Sequence, residues 1–440
     1  MLDQSFIHEL QLSGNDAEYS YDPKNKKLTI RKCKRFPEHI FKYPDQIELL
    51  DMSSNGLSEI PSGIGKLTKM KVAFFSENKF DRVPAVLSEC PNLQMIGLKS
   101  CGIGHFDENC LPKSIRWITL TDNKIAKLPN FLNNLSNLEK FLISGNNLSS
   151  LPDSLEQCQN LSLIRLSSNS FRSLPPDWLF RLPRLSWYSD TGNKYSPDKT
   201  DLSSSISPID WDDLTISREL SKNAKNTIYE AKVRRSGQLV AVKLFGGGIT
   251  SDGSATSEIE ASIAIVGHPN IIHATSILKN APDGKKGIVL PLIPNEYRNL
   301  GQPPDFTTVT RDTFRDGVKF NKSFIINCLR DVCSANLHIH SKHISNGDLY
   351  AHNILSDTNG RSILGDFGAS SFYKQSDAKF YESVDVRAFG YLISDFLNHS
   401  DKHESSLRDK LSRLKDSCVK SSIDSYISFR AIQEFITQEL

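Results

Sequence analysis

The sequence has few of the features that would carry a chain into or across a membrane. In 440 residues no run approaches the roughly 18 consecutive apolar side chains that a spanning helix needs. The first residues include Asp3 and Glu9, and no basic stretch leads into an apolar one, so no secretory leader is expected. An excess of one charge is also missing. Lys and Arg total 53 against 51 Asp and Glu, a formal net charge of +2. That balance gives no electrostatic reason to expect nucleic acid or a membrane surface as partner. The basic cluster from Lys24 to Arg35 reads as a solvated strand edge. Eight cysteines are scattered without a CxxC pair, which argues against a zinc site or a disulfide framework. The expected compartment is the cytoplasm; export by a machine that reads no cleavable signal stays open. What is present is ordinary for a globular protein: 38% hydrophobic and 24% charged residues. The length exceeds a single core, so two or more domains are expected.

The first half repeats. The residue that closes each LxLxx segment falls at Asn55, Asn78, Cys101, Asn123, Asn146, Asn169 and Asn193, in steps of 23, 23, 22, 23, 23 and 24. One further step back, by 22, reaches Cys33. IELLDMSSNGLSEIP, IRWITLTDNKIAKLP and LEKFLISGNNLSSLP show the pattern. Alternating apolar residues turn one strand face into a core. An Asn amide at the exit can satisfy backbone groups, and stacking such units forms a ladder. Cysteine at a ladder position still offers a weak S–H donor, so Cys33 and Cys101 read as structural.

The series resembles the leucine-rich-repeat family over roughly residues 25 to 195. Such solenoids present a concave strand face, and one outward column reads Leu49, Val72, Met95, Trp117, Lys140, Leu163 and Trp187, flanked by Phe74 and Leu142. Six of these seven are apolar where solvent-facing residues should be polar, which points to a contact with a partner or with the second half of the chain. The alternative is that the side chains lie flat against their neighbours.

A polar stretch, YSPDKTDLSSSISPID, reads as a linker, after which strand-like runs alternate with helical ones. VAVK (240–243), HPNII (268–272), GDLYAHNIL (347–355), DFG (366–368) and DVRAFG (385–390) then occur in the order and spacing of protein kinases. The resemblance spans about residues 212 to 435, and the wording is similar to bacterial leucine-rich-repeat kinases.

That resemblance implies the following roles. Lys243 contacts the α/β-phosphates and takes an acidic partner from the next helix; Glu258 and Glu260 face roughly 200° apart, so only one can serve, and Glu258, ten residues before His268, is favoured. Asp348 accepts or orients the acceptor hydroxyl, and Asn353 and Asp366 bind magnesium. Adenine lies against GIVLPLIP, with Leu290 as gatekeeper, the carbonyl of Pro291 as acceptor and the amide of Ile293 as donor. Ile228, Ala241 and Leu355 complete the nucleotide pocket. Gly246–Gly248 is no P-loop, since no Gly-Lys-Ser/Thr follows, and reads as a strand-to-helix connection.

Several of the family's features are missing. The phosphate-covering GxGxxG has Ser221, Asn223 and Asn226 in place of its glycines; Asn tolerates positive φ, which would preserve the loop's shape. The HRD motif reads Asn346-Gly347-Asp348, so a phosphorylated activation loop has no arginine partner there. Tyr350 replaces the lysine usual in serine/threonine kinases, which leaves the acceptor open between Ser/Thr, Tyr and a small molecule. Asp366 and Asp385 are 19 residues apart and APE is absent; Tyr426 stands where the arginine paired with its glutamate would be.

The expected architecture is therefore an α/β leucine-rich-repeat solenoid followed by an α+β two-lobed protein-kinase-like domain. The expected division is a cap (1–24), the solenoid (25–196), a linker (197–211) and the kinase domain (212–440), with lobes 212–293 and 294–440. The expected function is ATP- and Mg-dependent phosphoryl transfer to a protein hydroxyl, with Ser/Thr the favoured acceptor. A partner or substrate is expected on the concave face at Val72, Phe74, Met95, Trp117, Leu163 and Trp187. A small-molecule or lipid phosphotransferase and a repeat–pseudokinase scaffold are the alternatives.

Overall fold

The structure, a computed structural model, describes residues 10, 17–197, 206–223, 226–401 and 404–440. Most of the expected cap, at 1–9 and 11–16, and of the expected linker, at 198–205, lies outside the described residues, as do 224 and 225 of the expected phosphate loop. The chain divides into two compact units, Met1–Leu182 and Pro183–Leu440.

The first unit is a stack of repeats. Strands β1 (Glu18–Asp22) and β2 (Lys27–Arg31) form an antiparallel hairpin. From β2 onward each strand pairs in parallel with the next: β3 (Leu49–Asp51), β4 (Val72–Phe74), β5 (Met95–Gly97), β6 (Trp117–Thr119), β7 (Lys140–Leu142) and β8 (Leu163–Arg165). The central residues of β3 to β8, Leu50, Ala73, Ile96, Ile118, Phe141 and Ile164, have no exposed surface. The return segments are short 3₁₀ turns, entered from Pro37, Pro61, Pro84, Pro129 and Pro152, and one α-helical turn, α1 (Asp177–Arg181), entered from Pro176. Proline suits these places because the first amides of a helix have no internal acceptor.

The ladder makes the turn possible. The residue before each ladder position is left-handed, with φ of +59° at Ser54, +58° at Glu77, +55° at Ser100, +59° at Asp122, +69° at Gly145 and +55° at Ser168. Behind that turn Asn123 accepts from the amides of Cys101 (3.1 Å) and Ile103 (3.0 Å) and donates to the carbonyls of Leu98 (2.9 Å) and Leu120 (3.0 Å). Asn78, Asn146 and Asn169 repeat the pattern. Cys101 substitutes through its thiol, 3.2 Å from the carbonyl of Phe75, and burial pushes that thiol up to about 11. All eight cysteines are buried and free.

The apolar column packs on itself. Leu49, Val72 and Met95 form one cluster with Phe74 and Trp117 against it. Phe74 covers Gly97, where a Cβ would lie 2.7 Å from the ring. Lys140 sits 3.8 Å over the Trp117 ring, a cation–π contact that explains the one charged residue in the column.

The second unit opens on one more repeat strand, β9 (Trp187–Ser189). A six-stranded sheet follows, built from β10 (Pro208–Asp210), β11 (Leu214–Lys222), β12 (Asn226–Val233), β13 (Leu239–Phe245), β14 (Ser276–Lys279) and β15 (Gly287–Pro291) in the order β10-β14-β15-β13-β12-β11. Helix α2 (Ala255–Ala264) belongs to this lobe, its start capped by Ser254, whose hydroxyl accepts from Ser257 N. The second lobe holds α3 (Lys322–Ser341), α4 (Ala378–Asn398), α5 (Ser405–Val419) and α6 (Phe429–Glu439). Its small sheets are β16 (Arg298–Asn299) with β18 (Ile354–Ser356) and β19 (Ser362–Leu364), and β17 (Ile344–Ser345) with β20 (Ser371–Phe372). HPNII links the lobes: Ile272 N donates to Leu364 O (2.8 Å) and Asn270 Nδ2 to Ser362 O (2.8 Å). Among the described residues no helix is long and apolar enough to cross a membrane.

Asn123→Ala should strand the buried amides of Cys101 and Ile103. At ~1–3 kcal/mol for each unsatisfied group, the solenoid should lose about 2–6 kcal/mol. Asn137→Ala, which removes one exposed bond to Lys113 O, should cost under about 1 kcal/mol. Urea midpoints followed by circular dichroism check both.

Candidate active site

Strand β13 is sandwiched between β12 and β15, so even its lysine is inside: Lys243 is 8% exposed. An isolated ammonium would not stay charged there. Burial does pull Lys243 down, but the carboxylates of Asp366, Glu258 and Asp252 outweigh it and hold the group above its ordinary value. Its Nζ donates to Glu258 Oε1, from the first turn of α2. Glu258 is pushed up to about 7 by its own burial, reinforced by Asp366 and Asp252 and opposed by Lys243. Three carboxylates thus share one ammonium.

The loop expected to carry the catalytic aspartate runs from β17 to β18. Asp385 of α4 accepts from the amides of Asn346 (2.7 Å) and Gly347 (2.9 Å) and pairs with His340 (2.9 Å). Asn346 caps the Asp348 amide at 3.0 Å, and Asn353 Nδ2 donates to both the carbonyl (3.0 Å) and Oδ2 (2.9 Å) of Asp348. Asp366 adopts φ of +56°, and its Oδ1 accepts from Gly368 N at 3.3 Å. A Cβ on Gly368 would lie 3.3 Å from Asp366 Oδ1 and 3.4 Å from Glu258 Oε2, so glycine lets the two carboxylates close in.

These groups meet at two adjoining cavities. One, about 260 Å³, is walled by Ile228, Ile288, Leu290, Leu355 and Phe367 with Lys243 at its end. The other, about 520 Å³, is lined by Asn223, Asn226, Gly246–Gly248, Asp348, Asn353 and Asp366. Glu258, His352, Asn353 and Asp366 belong to both walls. Of the remaining expected nucleotide contacts, Ala241 is buried opposite Leu290 in the sheet, Ser221 pairs with Ile228 across the hairpin, and Pro291 ends β15 opposite Val240. Ile293 lies two residues beyond β15, half-buried. None of these four lines either cavity.

The donor set fits magnesium held together with a nucleotide. Among the described residues no three His, Cys, Asp or Glu side chains cluster to hold a metal by themselves. A carboxylate, an amide oxygen and phosphate oxygens are what Mg²⁺ ordinarily uses, and the surplus of carboxylates over cations here favours an added cation.

Five findings differ from the sequence expectation or were missed by it. Neither Asn223 nor Asn226 takes positive φ; instead Asn223 Oδ1 accepts from Asn226 N (2.8 Å) and Asn223 N donates to Asn226 O (3.0 Å), closing the hairpin through side-chain and main-chain bonds. Gly246–Gly248 does join strand to helix, but it also lines the larger cavity, with φ of +81° at Gly247 and +76° at Gly248. Tyr426 has a glutamate after all: Glu382 of α4 accepts from Tyr426 (3.1 Å) and Tyr373 (3.0 Å), with His340 Nδ1 4.0 Å away. Trp187 is not available to a partner, because it is 2% exposed and stacks on Tyr350 at 4.4 Å and 4°. His352, bound to Asp312 at 2.6 Å and held above its usual range by that bond despite burial, had no signal in the sequence beyond its place before Asn353.

The family models agree with this geometry. A protein kinase domain model matches residues 215–407, and leucine-rich-repeat models match 46–67 and 136–188. A solved leucine-rich-repeat protein of Leptospira interrogans is 24% identical over 36% of this chain and 41% of that one, with a TM-score of 0.35. The match therefore spans less than half of that protein. The chain combines leucine-rich repeats with a protein kinase domain.

Glu258→Gln should lower kcat for phosphoryl transfer at least tenfold, since an amide cannot balance the buried Lys243 charge. Glu260→Gln, on another face of α2, should leave it within twofold. Steady-state assays with ATP as varied substrate distinguish the two.

Proposed function

We propose that the chain is an active Mg-ATP-dependent protein kinase acting on a serine or threonine hydroxyl. The supporting observation is the convergence of the Lys243–Glu258 pair, the Asp348–Asn353 pair and Asp366 on one cleft. Both the lysine–glutamate pair and the DFG aspartate are needed for phosphoryl transfer in such a fold. Lys243 would neutralise the α/β-phosphates and the apolar cavity would take adenine. Asn353 and Asp366 would hold magnesium, which when bound spreads the charge of the phosphates. Asp348, oriented by Asn353 and Asn346, would take the acceptor proton as the hydroxyl oxygen attacks.

The repeats would recruit partner or substrate through the part of the concave face that stays half-exposed, around Phe74 and Trp117, in a cytoplasmic setting. A small-molecule or lipid phosphotransferase is favoured by the short segment after Asp366. A scaffold without catalysis is favoured by the asparagine-closed hairpin in place of a glycine loop.

Purified full chain with radiolabelled ATP separates the readings. Transfer to protein, lost by orders of magnitude in Asp348→Ala with ATP binding retained, supports the kinase. Asp366→Ala should lose transfer and weaken Mg-ATP binding as well. Label confined to small acceptors, or equal label in wild type and both variants, would overturn it.

A further inference from the structure

The last repeat is not built like the others. The second core position of LxLxxN is Met52, Phe75, Leu98, Leu120, Ile143 and Leu166 in the six preceding repeats, and Asp190 in the seventh. That carboxylate is 2% exposed. A buried charge persists only when hydrogen-bonded or paired. Here Oδ2 accepts from three phenols: Tyr188 at 2.6 Å, Tyr195, and Tyr381 of α4 at 2.8 Å. Asn193, at the ladder position, donates to the Asp190 carbonyl at 2.7 Å, so the turn itself is of the ordinary repeat type.

The same segment reaches the catalytic loop. Trp187 Nε1 donates to the carbonyl of Leu349, the residue after Asp348, at 3.1 Å. Its indole lies parallel on Tyr350 and stacks on Tyr391 of α4 at 5.6 Å. The Asp190 amide donates to Ser371 Oγ, in β20 beyond DFG, at 3.1 Å. Gly347 occupies φ of +71°, where a Cβ would lie 2.7 Å from Tyr188 O and 2.5 Å from Ala369 O. The missing arginine therefore has no room, because the carbonyls of Ala369, just after DFG, and of Tyr188, in the last repeat, stand where its side chain would begin.

We propose that residues 187–195 are a built-in clamp that replaces a phosphorylated activation loop, with Trp187 and Asp190 as positioning residues for the catalytic loop. In a switched kinase a phosphate supplies charge and acceptors to an arginine beside the catalytic aspartate. Here a fixed carboxylate supplies the acceptor, tyrosine hydroxyls are the donors, and Trp187 and the Asp190 amide carry the hold to Leu349 and Ser371. No covalent modification is required. This rests on the kinase reading for its consequence, though not for its geometry.

The test uses the full chain as Asp190→Leu, which restores the repeat consensus, Asp190→Asn, Trp187→Phe and Tyr381→Phe. Two readouts are taken on folded protein: kcat and KM for ATP, and amide hydrogen exchange over residues 344–356. Asp190→Leu should lower kcat tenfold or more with KM for ATP within twofold, and speed exchange in that peptide at least tenfold while the repeat peptides before 182 keep their rates. Asp190→Asn and Trp187→Phe should each give about a third of wild-type kcat. Phosphatase treatment of wild type should change neither readout. Unchanged exchange in Asp190→Leu overturns the clamp, as does a tenfold response to phosphatase. If Asp190→Leu does not fold, Tyr381→Phe decides in the same way. If the wild type transfers no phosphate, the kinase reading fails, and the exchange comparison alone still supports or overturns the clamp.

Discussion

A single buried ammonium organises the second unit. Lys243 lies in the middle of a sheet strand that is otherwise apolar, so it can stay charged only if carboxylates come to it. Glu258 comes from α2, Asp366 from the turn after β19, and Asp252 from the connection between β13 and α2. Bringing three separate backbone segments to one point fixes the helix against the sheet and the DFG turn beneath both. It also leaves the site short of positive charge, the condition in which added magnesium and a polyphosphate satisfy each other and the protein together.

The repeats follow a different rule and were the easier half to read. Their spacing is set by one requirement, that a left-handed residue and a buried amide alternate with an apolar strand, and that requirement is written in the chain every 22 to 24 residues. Periodicity could not say whether the apolar column faces a partner or itself. The answer depends on side-chain reach: the Phe74 ring covers Gly97 and joins a cluster with Leu49, Val72, Met95 and Trp117, a contact between different repeats that no single repeat encodes.

The candidate catalytic residues were legible because their spacing is chemical: an aspartate, an asparagine five residues on, then Asp-Phe-Gly after a short strand. Their supports were not. Glu382 holding Tyr373 and Tyr426 joins residues separated by 9 and 44 positions, and His352 with Asp312 spans 40. Nothing in the local pattern links such pairs. Asp190 leaves a trace, as an aspartate in an otherwise apolar column, but the ladder residue of the same repeat, Asn193, is ordinary.

The departures from the kinase pattern are linked by sterics. The carbonyls of Ala369 and of Tyr188 in the repeat strand together require glycine at 347, and that excludes the arginine. Without the arginine, a phosphorylated loop would have nothing to bind, so a short segment between DFG and α4 suffices, and β20 is held by Ser345 and by the Asp190 amide instead. With APE absent, Glu382 binds two tyrosine hydroxyls and is satisfied without an arginine. Each substitution taken alone would read as decay of a catalytic domain. Under the clamp proposed above they are one change, in which a fixed segment supplied by the adjoining repeat stands where a movable, charge-switched one would otherwise be.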